Sequence, residues 1–314
     1  MREYLLKRIA ALIPVLLVVG LIGFTLLNLI PGDPAAVMLG PEASMEDITA
    51  LRSEMGLDLP APLRLVRWYV RLFQGDLGNS IFLHRPVLQA IIERLEPTIL
   101  LTFMALTIAG VLGISMGITA AIKRGTFIDQ MVMSLSLLGM SIPSFWLALI
   151  LIVVFAFTLR LFPVAQYSPL AEGWWKTLHH LTLPAFTLGF IQSAFIARMT
   201  RSSMLEVLTQ DYIRTARAKG LSFSKVILVH ALRNAFVPIM TVMGLSLGSL
   251  MAGAIVVETV FALPGVGQMV LASIARRDYP MVQGILLFIA SVYVFVNFLV
   301  DVFYVILDPR IKYI

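Results

Sequence analysis

The chain has 314 residues, of which 59% are hydrophobic and only 13% charged, with a mean hydropathy of +0.91 and a net charge of +6. Soluble domains carry about 25% charged residues, so this composition excludes an ordinary water-soluble protein. The basic residues stand in short blocks between apolar runs, which is a signal of membrane topology and not of a nucleic-acid-binding face. The absence of cysteine excludes a disulfide framework, a thiol nucleophile and thiolate metal ligands.

Six stretches contain no Asp, Glu, Lys or Arg and reach 20 residues or more. About 20 helical residues cross a ~30 Å hydrocarbon core, and barrel strands would alternate polar and apolar, which these runs do not. The expected fold is therefore an all-α membrane protein with six transmembrane helices in a single domain over residues 1–314. The first run, 9–30, follows Arg2, Lys7 and Arg8. Its 22 uncharged residues are long for a signal-peptide core, and Pro31-Gly32-Asp33-Pro34 stands where a cleavage site would be, so it reads as a retained helix.

The loop 31–96 follows, with nine acids against six bases. Met45 to Met55 and Pro62 to Phe73 have helical apolar spacing, and Gly75-Asp76-Leu77-Gly78-Asn79 reads as a turn. Such a loop serves either as a docking surface for an external protein or as a solvated cap. Runs 97–122 and 130–159 come next, the latter 30 residues long with Pro143 near its middle, a position for a kink, although tilt would absorb the length equally well. Run 177–197 is preceded by Lys176, and run 234–257 follows a basic segment, 198–234. The last uncharged run begins at Met281, and its helix is expected to reach about residue 303. Small residues four apart (Gly113, Gly117, Ala121 and Gly244, Gly248, Ala252) allow close helix approach, either as plain bundle packing or as a sliding contact.

Charge bias orients these helices. With the N-terminus in the cytoplasm, inside segments hold 14 Lys and Arg, against 4 in the two short outside loops (Arg160, Lys176, Arg276, Arg277). The long loop is discounted because long loops translocate largely regardless of charge. Both termini and 198–234 are expected in the cytoplasm and 31–96 outside.

Several chemical motifs fail on context. Gly244-Leu245-Ser246-Leu247-Gly248 matches a serine-hydrolase pattern, but it lies inside an apolar helical run rather than a strand-turn-helix. His179 and His180 are adjacent, so their side chains diverge by about 100° on a helix and make a poor metal pair. No phosphate-binding G-x-x-x-x-G-K-[ST] motif occurs, and the runs lack the midplane charges of ion-coupled carriers. No catalytic residue, metal ligand or bound cofactor is expected in this chain, and any energy source lies in a partner. A stand-alone channel or secondary transporter is the rival reading, disfavoured by those clean spans. Gln192, Ser193, Ser246 and Asn297 are the polar groups placed to line a path, each equally suited to an interhelical hydrogen bond.

The segment 198–234 carries seven bases against two acids. Leu205, Leu208, Tyr212 and Ala216 fall at helical spacing, Gly220 suits a helix stop, and Ser224 suits the N-cap of the next helix. Physical chemistry alone leaves two readings: a basic amphipathic helix on anionic lipid, or a helix-turn-helix that docks into a cytoplasmic protein.

Asp211-Tyr-Ile-Arg-Thr-Ala-Arg-Ala-Lys-Gly-Leu221, followed by His230-Ala-Leu-Arg-Asn-Ala235, resembles the cytoplasmic loop of bacterial ABC importer permeases of the peptide, glutathione and nickel branch. In that superfamily the loop reads E-A-A-x-x-x-G. Here Arg214 and Thr215 replace the Glu and first Ala, a departure common in the branch, while Ala216 and Gly220 keep their places. The resemblance extends along the whole chain through Ile30-Pro-Gly-Asp-Pro34, Gly75-Asp-Leu-Gly78, Phe261-Ala-Leu-Pro-Gly-Val-Gly267, Arg277-Asp-Tyr-Pro280 and Asp308-Pro-Arg310. It is nearer to the first permease of such a pair than to the second.

The resemblance implies a type I ABC importer permease fold in the bacterial inner membrane, forming half of a translocation pathway. The solute would be a small peptide, glutathione or a nickel complex. It implies a second homologous permease, two ATPase subunits that carry ATP and Mg, and a periplasmic or lipid-anchored solute-binding protein. Asp211, Arg214, Thr215, Ala216, Arg217, Lys219, Gly220 and Leu221 would then form the coupling helix that meets an ATPase.

Overall fold

The computed structural model of the chain describes residues 13–25, 33–40 and 42–307. α1 spans Ile13–Thr25. The short α2 (Pro34–Leu39) starts at Asp33, whose carboxylate accepts from the Ala35 N–H, and Pro34 fits because its missing donor has no partner there anyway. α3 (Met45–Glu54) is capped by Ser44 and carries Glu46 and Asp47 in its first turn, where acids suit the helix dipole. α4 (Ala61–Phe73) begins after Pro60. A two-residue hairpin, β1 (Asn79–Ser80) with β2 (Arg85–Pro86), leads into α5 (Val87–Glu93). α6 (Leu95–Ile122), α7 (Phe127–Ser141) and α8 (Ser144–Thr158, a π-helix from Ile152) follow. α9 is Trp174–Leu208 and α10 is Asp211–Ala218. α11 is Phe223–Val260, with π geometry over Val226–Ala231. α12 (Val266–Ala275) and α13 (Tyr279–Leu307) close the chain.

Among the described residues, four helices (α6, α9, α11 and α13) are long and apolar enough to cross a bilayer, or five if α7 and α8 form one broken span. α1 is described over 13 of the 22 residues of its expected run. The third run departs from a simple kink: α7 and α8 meet at 103° across Ile142 and Pro143. Proline has no N–H to continue the ladder and its ring excludes the residue before it from helical geometry, so Ile142 is extended (ψ 124°) and α8 starts anew. α9 has 35 residues, about 52 Å at 1.5 Å per residue, so it outruns a hydrocarbon core and carries Arg198 and Arg201 beyond it. The expectations for both termini, including Asp308-Pro309-Arg310, lie outside the described residues.

The chain partitions into two compact units, Met1–Glu96 with Gln268–Val294, and Pro97–Gly267 with Phe295–Ile314. In the first unit α4 lies on α1. Trp68 packs against Gly20, where an added Cβ would meet the indole at 3.0 Å, and the Tyr69 hydroxyl donates to the Leu17 carbonyl at 2.5 Å. Asp278 at the start of α13 is buried and organises the hairpin. It accepts from the Ser80 hydroxyl at 2.5 Å and from the N–H groups of Ile81 and Phe82 at 3.3 Å.

The second unit has two apolar clusters, one around Leu101, Leu181, Leu250 and Phe261, the other around Ile196, Met204, Ile213 and Ile239. α6 and α9 touch at backbone distance. A Cβ on Gly113 would meet the Ser193 carbonyl at 2.8 Å, and one on Gly117 the Ala197 carbonyl at 2.6 Å. Large apolar residues such as Phe103 and Phe157 stay exposed on α6 and α8, which suits surfaces facing lipid.

Candidate functional site

The segment 198–234 is built differently from the continuous stripe expected of it. α9 runs straight through to Leu208, so Leu205 and Leu208 belong to the long helix, while Tyr212 and Ala216 belong to α10 across a break at Thr209 and Gln210. α10 is instead anchored by Ile213 and Ala216, three apart and both buried against Val226, Ile227, Leu208 and Leu221. Ile213 was legible as the other member of that i, i+3 pair. The stripe drawn from Leu205 missed it because it assumed one uninterrupted helix.

With Ile213 and Ala216 inward, the rest of α10 points outward. Asp211, Arg214, Thr215, Arg217, Lys219 and Gly220 are all exposed. Arg214 lies 3.3 Å from the Asp211 carboxylate, and Thr215 donates to the Asp211 carbonyl at 3.0 Å, so the first turn is closed on itself. Gly220 has φ +74°, the left-handed conformation that glycine adopts without steric cost, and the Gly220 and Leu221 N–H groups close onto the Arg217 and Ala216 carbonyls. Leu221 turns back into the apolar cluster. The next helix is entered at Ser222, which makes no side-chain cap, and Ser224 lies inside that helix instead of capping it. The extended backbone needed for capping falls two residues early, because Gly220 reverses the chain so tightly. Within α10, partial burial pushes the Tyr212 phenol above its ordinary range while a hydrogen bond with Asn234 opposes the shift.

Of the path candidates, Gln192 and Ser246 are brought together: the Gln192 amide donates to the Ser246 hydroxyl at 2.5 Å, joining α9 to α11. Ser246 in turn donates to the Val242 carbonyl at 2.7 Å, and Ser193 to the Phe190 carbonyl at 2.7 Å. Asn297 stands apart on α13 and is half-buried.

Two further polar centres escaped the sequence reading. Asp129, the single acid between Glu96 and Glu172, is buried and receives two hydrogen bonds from Arg201, at 2.6 and 2.8 Å, tying α7 to α9 just before the α10 segment. Its signal was its isolation. Glu258, fully buried at the end of α11, accepts from the Thr98 hydroxyl at 2.6 Å, and that hydroxyl accepts from the Val266 N–H at 2.9 Å. A Cβ at Gly265 would overlap the Glu258 carboxyl, and one at Gly267 would meet it at 2.9 Å, so the Pro-Gly-Val-Gly block is the space this carboxyl requires. Among the described residues no cluster of three or more His, Cys, Asp or Glu could hold a metal.

A helical membrane component with an exposed, glycine-terminated loop helix is the class these features define. A chain of the MetNI methionine ABC transporter, solved in inward-facing conformations, superposes with a TM-score of 0.57 over 70% of this chain and 97% of that one at 19% identity, which is a likeness of fold. Residues 109–313 match the family described as binding-protein-dependent transport system inner membrane component, and residues 1–102 match its N-terminal companion. A putative peptide transport system permease protein of Brucella abortus (strain 2308) is 47% identical, and a probable peptide ABC transporter permease protein of Sinorhizobium fredii (strain NBRC 101917 / NGR234) 44%, each over 100% of both chains. The glutathione transport system permease protein GsiC of Salmonella paratyphi A (strain ATCC 9150 / SARB42) is 41% identical over the same full extent. The chain belongs to the binding-protein-dependent inner-membrane permeases, with the type I ABC importer permease fold.

Proposed function

We propose that this chain pairs with a second homologous permease to form a path for small peptides or glutathione-like solutes across the inner membrane. Relatives at 41–47% identity over the full chain carry peptide and glutathione transport in their names, which supports that solute class. A solute-binding protein delivers the solute, and two ATPase subunits, with ATP and Mg, supply the energy. The permease itself performs no catalysis. In this arrangement residues 198–234 and both termini face the cytoplasm, and 31–96 faces outside, in line with the 14-to-4 bias in short-segment bases.

The observation that carries the coupling role is the construction of α10: two buried residues hold it, a positive-φ glycine ends it, and Asp211, Arg214, Thr215, Arg217 and Lys219 project outward. Closing of the ATPases on ATP moves this helix as a rigid piece, because Ile213 and Ala216 tie it to α9 and α11. The test uses the absence of native cysteine. A single cysteine at the exposed Lys219 is expected to cross-link to an ATPase subunit in the assembled complex, and a cysteine at Asn79 to react with an impermeant thiol reagent in right-side-out vesicles. No cross-link, together with labelling of Lys219→Cys from outside, overturns both the coupling role and the orientation.

A further inference from the structure

The first unit contains a cavity of about 600 Å³ that none of the above uses. Arg64, Arg67 and Arg71 line one side of it, spaced three and four apart so that they share one face of α4. The opposite wall, from the hairpin, contributes His84 and Arg85, and Asp76 is the one acid among the lining residues. Arg85 is already paired with Glu93 and Arg64 lies over the Phe24 ring. Arg67 and Arg71 have no carboxylate within salt-bridge distance among the described residues, and Asp76 is engaged by the Gly78 N–H at 2.8 Å. Two like charges at i and i+4 repel each other along a helix, and gathering them over a concavity intensifies the positive potential there. A planar oxyanion relieves that repulsion, since each guanidinium offers a fork of donors matched to a carboxylate. Met55, Leu57, Leu59 and Trp68 complete the lining with apolar surface next to the charged end. The cavity thus suits a small molecule with a carboxylate at one end and an apolar body.

We propose that this cavity is a binding subsite for the carboxylate of the transported solute, engaged by Arg67 and Arg71. The proposal rests on the reading above that the first unit's loop faces outside and that the solute is a peptide. A phospholipid phosphate offers related chemistry, and the experiment separates the two sources.

The full-length chain is placed in phosphatidylcholine nanodiscs and titrated with trialanine and with trialaninamide, followed by ligand-observed NMR. The free acid is expected to bind about tenfold more tightly than the amide, the worth of one charge-assisted contact, and the preference should shrink as salt rises. Arg67→Gln with Arg71→Gln should erase the preference, while Arg67→Lys with Arg71→Lys should keep its salt-dependent part. Because both positions are exposed on α4, neither pair of changes removes core packing. Equal binding of acid and amide, or a preference that survives the Gln pair, overturns the proposal. So does a wild-type chain that ignores trialanine yet retains phosphatidylglycerol more strongly than the Gln pair, which would make this a headgroup site. A failed coupling reading would appear elsewhere, as loss of ATPase-driven uptake by the wild-type complex, whatever the titration gives.

Discussion

α4 and α10 look alike as sequence: short amphipathic helices outside the apolar runs, α4 with three arginines and α10 with two and Lys219 directly after it. Their settings differ. α10 sinks Ile213 and Ala216 into the apolar cluster and turns Arg214, Arg217 and Lys219 outward, whereas α4 has no fully buried residue and turns Arg64, Arg67 and Arg71 over a cavity. Basic charge on a helix therefore says little until its opposite face is known. A helix anchored from behind can present its charges to a rigid partner, and one lying over a concavity can gather them around a small ion.

Changing Gly220 breaks the α10 side of this comparison most sharply. A β-branched residue at φ +74° costs about 1–2 kcal/mol of backbone strain, and nothing lies within 4 Å of an added Cβ, so Gly220→Val strains the turn without a clash. Insertion and folding should survive while the loop proposed to meet the ATPase is misdirected. Uptake in proteoliposomes holding the whole complex is expected to fall to near background, with ATP hydrolysis lost or running without uptake. Full coupled uptake by this variant would show that α10 is not the coupling element.

Ile213→Ala acts on the anchor instead of the turn. Removing a buried isoleucine costs about 2–5 kcal/mol, and here the loss falls where α10 meets α9 and α11. Uptake should drop severalfold, less than for Gly220→Val, and a cysteine at Lys219 should cross-link to several ATPase positions where the wild type favours one. A single unchanged cross-link would mean that Ile213 is ordinary core.

That anchor also marks where sequence reading stopped. The membrane runs were visible because charge is excluded from them, and the stop at Gly220 because few residues tolerate its conformation. The break at Thr209 and Gln210 was not visible, since helical spacing continues across it from Leu205 to Ala216. Pro143 marked a weak point, but one proline does not state whether a helix bends slightly or by 103°. The hairpin wall of the α4 cavity was hidden for another reason: Ser80 and Asp278 are 198 residues apart, and no local pattern pairs them.

Asp278→Ala sharpens the α4 side. The change leaves the Ser80 hydroxyl and the Ile81 and Phe82 N–H groups without their shared acceptor. Hydrogen bonds to a buried charge carry about 1.5–3 kcal/mol, so thermal stability in detergent should fall by roughly 3 kcal/mol. Uptake by the surviving folded protein should weaken while ATPase cross-linking from Lys219 stays intact, because the damage lies in the hairpin and not in the α10 anchor. Equal loss of both would mean that the two regions are not independent.

The smallest effect should come from Gln192 and Ser246, deeper in the platform that carries α10. Both have the polarity of a solute path, yet Ser246 is buried and its hydroxyl is already shared between the Gln192 amide at 2.5 Å and the Val242 carbonyl at 2.7 Å. A group saturated in this way has little left to offer a passing solute. Interhelical hydrogen bonds inside membranes contribute only about 0.6 kcal/mol on average, because the separated helices also find partners. Gln192→Ala, Ser246→Ala and the double change should therefore each lower the melting temperature slightly. The double change should cost no more than about the larger of the singles, since the two side chains serve one bond. Peptide selectivity, measured as competition between unlike tripeptides for uptake, should not move. A change in selectivity from Gln192→Ala with no change in melting temperature would place that amide on the path and make its contact with Ser246 incidental.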